Sequence, residues 1–316
     1  MFATAALFVL ASLTTSVLGD QWCEAESYKG NQFLQGFHHM SFSDPTHGRV
    51  NYVDQNTALQ KNLTFASGDH FVIRADHTTV LDPNGPGRDS VRLESNNVYM
   101  NHVTIWNIRH MPQGCGTWPA VWEFGQNWPY QGEIDILEGV NDHSSNQATL
   151  HTTADCTVGG ARNETGISLG TDCDVYTTGN AGCTAQNPTA DSYGPAFNAN
   201  GGGFYAMERS ERGVRVWFWP RNSKHIPHDV YHGLNEVDTD NWGTPFAHFP
   251  STNCDMDSHF GPHNIAINLT FCGDWAGIPS IYNADGCPGD CVAYVNQNPA
   301  AFVNAYFDVA WLKIYE

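Results

Sequence analysis

Apolar residues recur at every second position in several separate stretches, and this period restricts the possible fold more than any other feature of the chain. VRVWFW from 214 sets Val214, Val216 and Phe218 against Arg215, Trp217 and Trp219. IAINLTF from 265 sets Ile265, Ile267, Leu269 and Phe271 against Ala266, Asn268 and Thr270, and FVIRADH from 71 and the terminal YFDVAWLKIY read the same way. Successive side chains on a strand point to opposite faces, so each run predicts a strand with a buried face. Turn-rich segments such as DPNGPGRDS, NANGGGF and NADGCPGD separate the runs, and amphipathic helices of any length are hard to find. The pattern predicts an all-β chain, a sandwich or barrel.

The first nineteen residues, MFATAALFVLASLTTSVLG, carry no charged side chain and an apolar centre from Ala5 to Leu13. They read as a secretory signal peptide cut after Gly19, too short to span a membrane. No linker, repeat or low-complexity segment divides residues 20–316, which are expected to form a single domain. Export fits nine cysteines, all beyond residue 19, for which structural disulfides are the default in an oxidising compartment. An odd count leaves one over, and Cys23 is the candidate because it stands near the new terminus, where chains are usually mobile. Pairing of the other eight stays open. Cys287 and Cys291 lack a second close Cys or Cys/His pair to complete a zinc site. The sequons at Asn62, Asn163 and Asn268 are possible glycan sites, with Asn62 favoured.

The net charge of −19, from 33 acids against 14 bases, disfavours nucleic acid and anionic membranes as partners. A neutral polysaccharide would be indifferent to it.

The most unusual stretch is QGEIDILEGV from 131, with Glu133, Asp135 and Glu138 set among Ile134, Ile136 and Leu137. Acids on a half-buried strand repel one another and cost desolvation, so they are avoided unless used. Glu133 and Asp135 share a strand face, but Glu138 points away unless a β-bulge near Ile136 and Leu137 turns it back. Retaining glycosidases need a nucleophilic carboxylate and a protonated carboxyl about 5 to 5.5 Å apart. Clustered negative charge should raise the pKa of the acid, Glu138, while Asp135 hydrogen-bonds the nucleophile. An acidic edge strand would not explain the apolar residues between the acids, and calcium needs more oxygen ligands than this strand supplies.

EIDILEG resembles the Glu-x-Asp-x-x-Glu signature of glycoside hydrolase family 16, in the bulged form of its laminarinases rather than the Glu-x-Asp-x-Glu of lichenases and xyloglucan transglycosylases. DPTHGRVNYVD, GPGRDSVRLES, RHMPQGCGTWPAVWEFG, SYGPAFNANGGGFYAMER, NWGTP and NLTFCGDWAG extend the likeness to the fungal laminarinase group over nearly the whole mature chain. The resemblance implies a curved antiparallel β-jelly-roll sandwich whose concave face is a cleft for β-1,3-glucan. It implies Glu133 as nucleophile, Asp135 as its assistant and Glu138 as acid/base.

Trp122, Trp128 and Trp275 are candidate stacking platforms for sugar rings, the first less firmly than the others. His151, on the strand expected to follow, is a candidate partner for Glu138, as the resemblance also implies. Arg92 and Asn51 are candidate sugar contacts, although an ion pair with Glu94 is a plainer use of Arg92. His225, His228 and His232 read as a surface loop, and Gly201 to Gly203 lack the context of a phosphate loop. The expected protein is a secreted, monomeric, retaining endo-β-1,3-glucanase without cofactor or metal. Mixed β-1,3/1,4 and β-1,3/1,6 glucans are further candidate substrates. A cell-wall transglycosylase and a non-catalytic glucan lectin of the same fold are its rivals.

Overall fold

The alternating runs form strands of two large antiparallel sheets in the computed structural model, which describes residues 21–142 and 145–316. The expected signal peptide lies outside the described residues. One sheet of eight strands runs Ile167–Ser168, Cys183–Gln186, Gln147–His151, Glu133–Glu138, Thr117–Gly125, His263–Phe271, Arg92–Ser95 and Phe37–His39. The other has nine: Glu236–Asp238, Gln21–Tyr28, Tyr306–Tyr315, His102–His110, Gly203–Ser210, Gly213–Pro220 and Ala247–Pro250 in order, with His70–Arg74 beside Tyr306–Tyr315 and Thr64–Ser67 beside His70–Arg74. Consecutive strands are often distant in the sheet, as a jelly roll requires. Among the described residues Val50–Tyr52 and Arg88–Ser90 form a parallel strand pair, and Thr152 and Asp174 an isolated parallel bridge.

The core lies between the sheets. Val121, Ile134, Ile136, Leu150, Ile265 and Ile267 from one meet Trp106, Tyr205, Met207, Val216, Leu312 and Ile314 from the other, all within 2 % of full burial. Each such side chain contributes roughly 1.5 to 3 kcal/mol by leaving water. The nine-stranded sheet is apolar on both faces. Val214 and Val216 enter the core, whereas Trp217 and Trp219 pack outward, both edge-on to Trp242. The second face is therefore covered by chain, which frees the outer face of the eight-stranded sheet to be the open one.

The eight other cysteines pair as Cys115–Cys287, Cys156–Cys254, Cys173–Cys183 and Cys272–Cys291, and Cys23 is free and exposed. Cys23 is not on a loose end, however. It sits in a strand, its N–H donating to Glu316 and its carbonyl accepting from Glu316. Short helices also occur where none was read. The longest α-helix among the described residues, Cys291–Gln297, is capped by Asp290, whose carboxylate accepts from the Ala293 N–H. His228–His232 is a one-turn helix rather than a loop, ended by Gly233. Four- to seven-residue helices carry too few turns for a 3.6-residue period to show. No helix among the described residues is long and apolar enough to cross a membrane.

Candidate active site

The acid strand, Glu133–Glu138, lies mid-sheet between Thr117–Gly125 and Gln147–His151. Ile134 pairs with Glu123 and Asp135 with Trp122, but the next partner of Val121 is Leu137, so Ile136 has none on that side. On the other side Asp135 pairs with Thr149 and Glu138 with Gln147. The expected bulge is thus present, and Ile136 and Leu137 are both fully buried. Glu133, Asp135 and Glu138 consequently line one cleft, of about 970 Å³, on the outer face of the sheet.

Burial dominates the electrostatics there, because the charged form of each acid loses water. Glu133 is pushed up to about 8 by burial and then by the charge of Asp135, with His151 and Arg92 pulling it back. Asp135 is pushed up to about 8 by burial. Glu138 is pushed up to about 8 by burial and by Asp135, against the stabilising Trp118 N–H and His151. The three titrate as a set, and their burial together holds protons on the set to higher pH than on isolated carboxyl groups.

His151 pairs with Glu133 across the ladder, and its Nε2 lies 3.2 Å from Asp135 and 3.8 Å from Glu133. The expectation placed it beside Glu138. The antiparallel register sends Gln147 there instead, since the strand enters at the Glu138 end. Gly182 allows the next strand to close on His151: its φ is +62°, and a Cβ would lie 2.5 Å from the Leu150 carbonyl and 3.0 Å from Nδ1. Glu133, Asp135 and His151 bring their ligand atoms within 4.8 Å of one another, so of the described residues they are the set able to hold a metal ion.

Trp122, Trp128 and Trp275 all line the cleft, as does Arg92. Arg92 makes no use of Glu94, which accepts from Gln126. Its guanidinium lies over the Trp122 ring at 4.8 Å and the Phe42 ring at 5.1 Å. Asn51 is not among the cleft residues: its amide donates to Asp89 at 2.6 Å, in the parallel strand pair. Asn268 is a cleft residue rather than a glycan site. It is 6 % exposed, accepts from the Trp122 indole and donates to the Tyr52 hydroxyl. Asn62 and Asn163 are exposed.

Residues 37–315 match the family described as XgeA-like, catalytic GH16 domain. The chain belongs to glycoside hydrolase family 16. Within the family it is 42% identical over 294 residues to a probable glycosidase of Schizosaccharomyces pombe, covering 92% of this chain and 68% of that protein. It is 40% identical over 302 residues to the endo-1,3(4)-beta-glucanase xgeA of Emericella nidulans, covering 92% of this chain and 47% of the relative. The chain thus spans about half the length of several Aspergillus-type relatives that it matches. Among solved structures, the family 16 Laminarinase 16A of Phanerochaete chrysosporium, with β-glucans in its donor and acceptor sites, superposes with a TM-score of 0.93 at 58% identity, covering 94% of this chain and all of that one. An elongating family 16 β-1,3-glucosyltransferase superposes at 0.87 with 36% identity, covering 93% and 100%. The fold is therefore the family 16 jelly roll, and the chain is a glycoside hydrolase catalytic domain.

Trp118 and Phe42 are among the residues of this family 16 cleft that the sequence does not single out. Trp118 donates its indole N–H to Glu138 at 2.8 Å and meets Trp275 edge-on at 5.7 Å. The signal was present in TWPAVWEF, where period 2 puts Trp118, Ala120, Trp122 and Phe124 on one face. Phe42 was not legible, because it reaches the cleft from outside any strand.

Proposed function

We propose that the chain is a secreted endo-β-1,3-glucanase that cleaves with retention of configuration. The observation that carries this is the bulged acid strand, which turns Glu133, Asp135 and Glu138 into one cleft. The cleft is lined from Thr184 to Arg92 across six neighbouring strands. Five inter-strand steps span roughly 24 Å, room for several sugar rings and so for internal attack. Trp122, Trp128 and Trp275 offer apolar faces to those rings, and Arg92 a donor to hydroxyls.

In the first step the Glu133 carboxylate attacks the anomeric carbon while Glu138 gives its proton to the departing glycosidic oxygen. In the second, Glu138 takes a proton from water, whose oxygen displaces Glu133 from the same carbon. Arg92 and His151 favour the charge that Glu133 needs. The Trp118 bond occupies Oε1 of Glu138 and leaves Oε2 for the proton. Asp135 sits between the two, so ionisation of one acid discourages that of the next. Two carboxyl groups and water supply the whole reaction.

Secretion is supported by the leader-like first nineteen residues and the four disulfides. Transfer to a sugar acceptor is a second reading, favoured by the likeness to the elongating glucosyltransferase. Incubation with laminarin, curdlan and barley β-glucan, with product sizing over time, separates these readings. Early release of short oligosaccharides from laminarin is expected. Products longer than the starting oligosaccharides would support transfer, and binding without cleavage would leave a lectin.

A further inference from the structure

A bulge leaves backbone groups without ladder partners, and something must satisfy them in a buried strand. Here the groups are the Ile136 carbonyl and the Glu138 N–H. Both are taken by one side chain. Asn146 donates from Nδ2 to the Ile136 oxygen at 2.9 Å and accepts at Oδ1 from the Glu138 nitrogen at 2.8 Å. A carboxamide offers one donor edge and one acceptor edge, as a peptide group does, so it replaces the missing rung. Only one orientation of the amide satisfies both groups, which fixes its assignment.

Asn146 is fully buried and itself held from behind. Its N–H donates to the Ser192 hydroxyl at 3.0 Å, and its carbonyl accepts from the Asn187 N–H at 2.8 Å. The next residue, Gln147, begins the strand that pairs with Glu138. The clamp therefore lies one residue from the point where the ladder resumes. A regular strand would send Glu138 to the core face, so the aim of Glu138 depends on the bulge and the bulge on this amide.

We propose that Asn146 is a positioning residue for the acid/base: it locks the bulge that points Glu138 at the glycosidic oxygen. The inference rests on the assignment of Glu138 above. A misplacement of about 1 Å in a reacting group can cost on the order of a hundredfold in rate. The loss should fall on proton delivery and spare both nucleophile and binding.

The test compares laminarin, whose leaving group needs a proton, with a dinitrophenyl β-laminaribioside, whose leaving group does not. Asn146→Ala should lose about ten- to a hundredfold in kcat on laminarin at unchanged KM, yet stay within about threefold of wild type in kcat/KM on the aryl glycoside. Azide should accelerate its turnover of the aryl glycoside. Ser145→Ala, in the same loop with its hydroxyl on the Asn187 carbonyl, should behave as wild type on both substrates. Asn146→Ser, which can hydrogen-bond one of the two groups but not both, serves if the alanine variant does not fold. Equal losses on both substrates, wild-type turnover of laminarin, or the same selective loss in Ser145→Ala would overturn the proposal. Glu138→Gln in the same assay separates the two claims: without leaving-group dependence there, the acid/base assignment itself fails, and with it there but not in Asn146→Ala, only the clamp fails.

Discussion

The indole N–H of Trp118 points across the strand ladder at Oε1 of Glu138, 2.8 Å away. A donor to a carboxyl oxygen favours the charged form, so this bond opposes the burial that raises Glu138. Trp118→Phe keeps an aromatic ring on the Trp275 side and removes the donor together with part of the ring area. The pKa of Glu138 should rise, and the alkaline limb of the kcat/KM profile on laminarin should move to higher pH by about half a unit or more. A limb that stays in place would show that another group controls it.

Trp128 is 42 % exposed on the loop before the acid strand, and it lines the cleft. Its proposed use is stacking, which would hold ground state and transition state alike. Trp128→Ala should raise KM for laminarin about five- to thirtyfold, a loss of about 1 to 2 kcal/mol, with kcat within about twofold. A fall in kcat at constant KM would contradict a stacking role.

The raised acids make a prediction about stability as well as rate. Glu133 folds with a pKa near 8, well above its unfolded value, so the folded state binds the extra proton. Its contribution is fully present below about pH 4 and is lost as pH rises through about 8. Glu133→Gln removes this residue's share of that dependence and leaves the shares of Asp135 and Glu138. The variant should melt about 2 to 4 °C above wild type at pH 8 and show little difference near pH 4, by thermal unfolding followed with circular dichroism. A variant less stable at pH 8 would mean that Glu133 is well accommodated as an anion.

Cys23 is the free thiol, and Cys272–Cys291 holds the turn that carries Trp275. Cys23→Ser should abolish thiol titration and leave Tm within about 1 °C. Replacing Cys272 and Cys291 together by serine should cost about 2 to 5 kcal/mol. A titratable thiol remaining in Cys23→Ser would place the odd cysteine elsewhere.

Period 2 made the strands legible because one face of each is buried, and the acid stretch marked a candidate site and its bulge. The sequence did not show that Trp217 and Trp219 are core to a second, outer layer, since burial on both faces erases the alternation that marks a solvent face. Nor did it show the partners of the acids. Trp118 and His151 reach them through strand register, and Asn146 through a side chain filling a backbone vacancy; both depend on pairings between segments that one-dimensional spacing does not encode. Asn51 failed for a related reason: its strand pairs with Arg88–Ser90 outside the main sheets, which points its amide at Asp89 instead of at the cleft.

In the proposed reaction Glu133 and Glu138 act in two successive displacements at one carbon. Proton NMR during the first minutes of laminari-oligosaccharide hydrolysis reads this directly, before the products mutarotate. The newly formed reducing end should appear as the β-anomer and only later equilibrate. Initial appearance of the α-anomer would show a single displacement by water, and Glu133 would then not be the nucleophile.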